Sequence, residues 1–173
     1  MTQLVDDILF LSELEQGREV VALGFTELAP YVSEIFAENR ERALRAELSL
    51  EQDVPAGIVV PMRPRMLLVL LGNLLDNALR YAGDGGPITV AAKHAGERVV
   101  VTVEDCGPGV PSEALARLGE PFYRPDTARA RETGGVGLGL AIVRSSVAAC
   151  GGEVRFANRT PRGFVAEITL AAS

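Results

Sequence analysis

Apolar residues recur at helical spacing over residues 2–16, at Leu4, Val5, Ile8, Leu9, Leu11 and Leu14, and Gly17 supplies a C-terminal stop. The stripe is long for so short a segment and nothing local covers it, so it reads as the end of a longer helix that pairs elsewhere. Residues 19–24 (Glu-Val-Val-Ala-Leu-Gly) predict a short strand. An amphipathic helix is expected from Thr26 to about Leu44, with Thr26 as N-cap and Pro30 in the first turns, where it is best tolerated. Short strands follow at Ala46–Leu50 and Gly57–Val60. A strong helix runs from about Arg63 to Tyr81 and is ended by Gly83-Asp84-Gly85-Gly86-Pro87. Ile88–Lys93 and Arg98–Asp105, rich in β-branched residues, predict a hairpin that turns through Ala95-Gly96. Ser112–Leu118 suits one or two helical turns. Glu120–Gly135 has no apolar periodicity and carries several arginines, a pattern typical of long functional or disordered loops. Val136–Ala149 is a helix that opens in glycines and closes at Gly151-Gly152. Two strands, Glu153–Ala157 and Phe164–Leu170, are joined through Pro161 and Gly163. Strands and helices mix without regular βαβ alternation, which predicts a two-layer α/β (α+β) sandwich on a mixed, largely antiparallel sheet.

Composition narrows the class. A chain of 173 residues with 47% apolar residues suits one packed domain, or one domain plus an appended element. Seventeen basic against twenty-three acidic residues leave a net charge of −6, which argues against binding duplex DNA or an anionic membrane. No apolar run approaches the roughly 20 residues of a spanning helix. The acidic start Met-Thr-Gln-Leu-Val-Asp-Asp is not that of a secretory signal. Cys106 and Cys150 fit no metal spacing and read as reduced thiols of a cytoplasmic compartment. One histidine leaves no basis for a multi-histidine metal site.

Three segments carry chemistry. On the Arg63–Tyr81 helix, Leu67, Leu68, Leu70, Leu71, Leu74, Leu75 and Ala78 form the apolar side, while Asn73, Asn77, Arg80 and Tyr81 share the other. Asparagine is a poor helix former, so two amides one turn apart on a leucine-rich helix are either a solvated face or oxygen donors for Mg²⁺ beside a phosphate-binding cation. At a strand end comes Asp105-Cys106-Gly107-Pro108-Gly109, which is either a simple turn or a carboxylate placed to accept a hydrogen bond from an exocyclic amine. Gly135-Val136-Gly137-Leu138-Gly139-Leu140 leads into a helix, where free N–H groups and the positive dipole end suit a phosphate. The surrounding pattern is neither a dinucleotide-binding βαβ unit nor a Gly-Lys-Ser/Thr loop.

In this order, with an arginine-bearing loop between the last two, the segments resemble the ATP-binding catalytic domain of a sensor histidine kinase of the GHKL superfamily. The likeness covers roughly residues 19–170. Asn73–Tyr81 resembles the family's asparagine box, Asp105–Gly109 its first glycine box, Glu120-Pro121-Phe122-Tyr123-Arg124 its phenylalanine box, and Gly135–Leu140 its second glycine box. Residues 3–16 resemble the end of the second helix of a dimerisation and phosphoacceptor domain, which puts a domain boundary between residues 17 and 18.

The resemblance implies a Bergerat-type fold, with about five strands covered by about three helices, and two cofactors, ATP and Mg²⁺. Asn77 would hold the metal and Asn73 support metal and phosphates. Arg80 would stand near the phosphates, with Tyr81 against the nucleotide. Asp105 would accept the adenine amino group, and Gly107 and Gly109 would shape the base pocket. Arg124 would approach the γ-phosphate. Gly135, Gly137, Leu138, Gly139 and Leu140 would hinge a lid and seat the phosphates. The chain departs from the family pattern at Cys106, usually Asn, at Gly119, often aromatic, and at Cys150, often His.

His94, in the expected hairpin tip, has no carboxylate after it to act as base. The phosphoacceptor histidine is therefore expected on a separate helical domain. Hydrolytic members of the superfamily carry a Glu as general base where this chain has Asn73, which favours transfer to a side chain over hydrolysis. A nucleotide-binding pseudokinase and a serine kinase of the anti-sigma type remain as alternatives. The resemblance further implies a response regulator downstream, no nucleic-acid partner, and a monomer here within a homodimeric parent. It places this piece on the cytoplasmic side of a bacterial inner-membrane protein.

Overall fold

The computed structural model describes residues 2–17, 24–83, 86–125 and 135–173. Helix α1 spans Thr2–Glu15, α2 Leu28–Arg45, α3 Pro64–Tyr81 and α4 Gly139–Ala149. The strands are β1 Thr26–Glu27, β2 Leu48–Asp53, β3 Val59–Val60, β4 Gly86–Ala95, β5 Arg98–Glu104, β6 Glu153–Asn158 and β7 Phe164–Ala171. A five-stranded sheet runs in the order β2-β4-β5-β7-β6. Only the β2–β4 pair is parallel, in a register that sets Leu50 beside Ile88, and the other neighbours are antiparallel. The mixed, largely antiparallel sandwich expected from the pattern is thus the architecture found.

Period-two alternation puts one face of the sheet into the core. Ile88 and Val90 of β4, Val99, Val101 and Val103 of β5, and Ala166, Ile168 and Leu170 of β7 are all buried. The register sets Val101 across from Ile168 and Val103 across from Ala166, so apolar side chains meet in cross-strand pairs. Against them lies α3, whose Leu67, Leu70, Leu71, Leu74, Leu75 and Ala78 are buried, and α2 and α4 flank it. Pro64 opens α3 at its first turn, where a missing N–H costs nothing.

Some local expectations change. Thr26 does not cap α2, because its hydroxyl donates to the carbonyl of Met62 at 2.6 Å and its backbone pairs with Val60 in a two-stranded β1–β3 ribbon. The helix starts at Leu28 with Glu27 as its cap residue. The expected strand at 19–24 falls almost wholly outside the described residues. The apolar stripe of α1 divides: Leu14 and Phe10 (absent from the expected stripe) are buried on the side where α1 meets α4, whereas Val5, Ile8 and Leu9 are exposed. The Arg65 guanidinium from the start of α3 lies 5.7 Å from the Phe10 ring centroid, so the helix folds back on its own domain.

Candidate active site

The polar side of α3 opens onto a cavity of about 740 Å³. Asn73, Asn77, Arg80 and Tyr81 all line it, together with Arg124 and every residue from 135 to 140. Nothing in the local pattern requires these segments to meet. They do so because the sheet sets α3 and α4 side by side, with the start of α4 against the asparagine face.

Two contacts define how closely. The Nδ2 of Asn73 donates to the Val69 carbonyl one turn back at 2.8 Å, which aims its Oδ1 outward. A Cβ on Gly139 would lie only 3.1 Å from that oxygen, so the first residue of α4 rests on the amide. The cap residue of α4, Leu138, offers no side-chain acceptor to the N–H groups of the first turn. These donors, at the positive end of the helix dipole, are an anion seat. Gly137, at φ +78°, could not carry a side chain, because a Cβ would lie 2.8 Å from the Tyr123 carbonyl. The same crossing is tied by Phe122, whose N–H donates to the Gly137 carbonyl at 3.0 Å. Phe122 itself adopts φ +64° with its ring exposed, an uncommon state for a bulky residue.

Asn77 makes no hydrogen bond to any described protein group, although its half-buried amide faces the cavity. A side-chain oxygen without a protein partner is the donor type a hard cation takes. Among the described residues no group of three or more His, Cys, Asp or Glu could hold a metal. A cation here would therefore complete its shell with water and ligand oxygens, as Mg²⁺ does on polyphosphates.

The other end of the cavity is walled by Tyr81, Val110 and Phe164. Asp105 lies behind that wall and is 2% exposed. Its Oδ1 accepts the N–H of Gly107 at 2.8 Å and of Phe164 at 3.2 Å, and no described group bonds to Oδ2. Burial pushes its carboxyl above the ordinary range, and the two N–H donors and the nearby Arg159 guanidinium oppose that shift only in part. Gly107 and Gly109 also stand off the cavity wall. A Cβ on Gly107 would collide with the Tyr81 carbonyl at the end of α3. Asn158 fastens the loop by exchanging two hydrogen bonds with the Val110 backbone, at 2.9 and 2.7 Å. His94 is exposed in β4, across from Val99, and does not line the cavity.

Sequence reasoning missed several contributors. Phe164 lies against Phe156 with ring centroids 6.0 Å apart and presents part of the wall, which period-two alternation alone marks only as core. Asp76 and Arg42 also reach the cavity. The i,i+4 spacing of Asp76 and Arg80 is a visible signal for that ion pair, while nothing local marks Arg42.

The fold and this cavity define an ATP-binding domain of the GHKL class. The sequence model of the family described as histidine kinase-, DNA gyrase B- and HSP90-like ATPase matches residues 62–173, and the chain belongs to that family. Among curated proteins it is similar to the signal transduction histidine-protein kinase BaeS of Escherichia coli K12, with 36% identity over 165 residues. The match covers 95% of this chain and 35% of BaeS. Among solved structures it is similar to ShkA, whose full-length crystal structure is a complex with AMPPNP, at 27% identity and a TM-score of 0.80, covering 99% of this chain and 36% of that one. The mycobacterial sensor histidine kinase MprB matches at 27% identity and a TM-score of 0.76, covering 86% of this chain and 98% of that one. Among the described residues no helix is long and apolar enough to cross a membrane.

Proposed function

We propose that this chain is the catalytic part of a sensor histidine kinase and transfers the γ-phosphoryl group of ATP to a histidine on a helical domain outside it. The observation that carries this reading is the meeting of the Asn73–Tyr81 face, Arg124 and the uncapped start of α4 at one cavity. Adenine enters at the Asp105 end, where Oδ2, which no described group engages, accepts its amino group. Tyr81 packs on the nucleotide, and the N–H groups from Gly135 to Leu140 receive the phosphates. Asn77 would hold Mg²⁺ through its Oδ1, with Asn73 supporting metal and phosphates, and the bound ion would neutralise phosphate charge. Arg80 and Arg124 offset the charge that builds on the transferred group. Asn73 is an amide and cannot serve as base toward water, which leaves the incoming histidine as nucleophile.

The helical partner domain is supplied by the rest of the parent protein, and α1 is the end of its second helix. The parent is a homodimer of the bacterial inner membrane, this part is monomeric on the cytoplasmic side, and a response regulator takes the phosphoryl group onward. The deciding experiment incubates this chain with a separately purified phosphoacceptor domain and γ-labelled ATP. Acid-labile label should appear on that domain. ATP binding without transfer would indicate the nucleotide-binding pseudokinase, and label on a serine of a partner would indicate the anti-sigma type.

A further inference from the structure

The last turns of α2 bring one charged side chain to the cavity from outside all the motif segments. Arg42 Nη1 bonds to Asp76 Oδ1 at 2.6 Å, while the other oxygen of the same carboxylate, Oδ2, takes Arg80 Nε at 2.8 Å. All three side chains line the cavity. Asp76 sits on α3 between the two asparagines of the polar face, so this carboxylate sets two guanidiniums side by side next to the amides. We infer that Arg42 is a second phosphate-end cation of the nucleotide site, and that Asp76 is the positioning residue that holds it beside Arg80. The inference rests on the reading that the cavity takes ATP, and it adds a residue that no motif supplies.

Charge and donor geometry support the assignment. The described lining of the cavity carries four arginines, Arg42, Arg65, Arg80 and Arg124, against Asp6, Asp7 and Asp76. Without Arg42 the formal side-chain charges of that described lining would balance. A guanidinium has five N–H donors in a fixed fork, and the described bond to Asp76 engages one nitrogen of Arg42. The remaining donors suit phosphate oxygens. Arg80 meets Asp76 through Nε, and its Nη1 lies at the Gly135 end, 3.2 Å from where a Cβ on that glycine would stand. Asp76 thus takes Nε of Arg80 and a single terminal nitrogen, Nη1, of Arg42. A purely structural tie between α2 and α3 would need no such placement on the cavity wall. Both Arg42 and Asp76 keep over two fifths of their side chains exposed, so substituting them leaves the core intact.

The test is calorimetric titration of ATP, ADP and adenosine, with Mg²⁺, into the wild-type chain, Arg42→Gln, Asp76→Asn and the double variant. Arg42→Gln should weaken ATP about tenfold and ADP less, while adenosine stays within about twofold. In the Asp76→Asn background the same Arg42→Gln change should cost under about threefold, because the arginine is no longer held in place. Unchanged ATP affinity in Arg42→Gln, or equal losses for ATP and adenosine, would overturn the phosphate role. An undiminished loss in the Asp76→Asn background would overturn the positioning role. A wild-type chain that binds adenosine and ATP equally would instead remove the ATP-site reading beneath both.

Discussion

In the proposed binding mode, Asp105 is the one carboxylate that meets the base. Replacing it by Asn removes a charged acceptor worth about 1.5–3 kcal/mol, so ATP affinity should fall about ten- to a hundredfold in calorimetry. Burial raises its pKa above the ordinary 3.8, which has two consequences. In the wild type, ATP binding should weaken on acidification, starting above pH 3.8, as Oδ2 becomes protonated. Stability runs the other way. An acid whose pKa is higher folded than unfolded stabilises the fold fully below the unfolded value and loses that contribution as pH rises through the folded value. Asp105→Asn cannot ionise, so its denaturation midpoint should rise relative to wild type as pH increases across that window. Parallel midpoints across the window would refute the buried charge. Asn77 offers a second residue-scale expectation: Asn77→Ala should bind ATP equally well with Mg²⁺ and with EDTA, whereas the wild type should not.

At the scale of elements, α1 supplies the sharpest stability test. Phe10 is buried with Arg65 of α3 over its ring, and Phe10→Ala should cost about 3 kcal/mol in urea unfolding. Ile8→Ser, on the exposed side, should change stability by under about 0.5 kcal/mol. Equal effects would mean that α1 does not fold back on its own domain. The same helix shows why some elements could be read from sequence and others could not. The stripe on α3 has strict helical period and a single partner layer, so its ends and its buried face follow from the pattern. On α1 the pattern shows which residues are apolar but not which half of them another helix will cover. That depends on α4, well over a hundred residues away. Thr26 fails as a cap for a related reason, since its hydroxyl is claimed by Met62 across a gap of 36 residues. Arg42 and Asp76, 34 residues apart, are invisible as a pair for the same cause. The amides, the arginine and the glycines of the site could be read because their types are unusual for their elements. That Asp105 stands behind the cavity wall could not, because the wall is made by Phe164 on another strand.

For the molecule as a whole, the placement of chemistry relative to His94 decides what the chain can do alone. His94 is exposed in β4 and away from the cavity, so the chain incubated with labelled ATP should carry no acid-labile label of its own. His94→Gln should transfer phosphate to an added phosphoacceptor domain at the wild-type rate, within about twofold. Label retained on the wild-type chain and lost in His94→Gln would reverse that assignment.

The strand order has one more effect. β7 lies inside the sheet between β5 and β6, although it follows both in the chain, and its Phe164 N–H is one of the two bonds on the Asp105 carboxylate. Those partners are 59 residues apart. During synthesis at roughly 5–20 residues per second, Asp105 therefore waits several seconds in water before its pocket can close. A nascent chain halted before β7 already has Asn73, Asn77 and the glycines that open α4, yet it lacks Phe164, which closes the Asp105 end of the cavity.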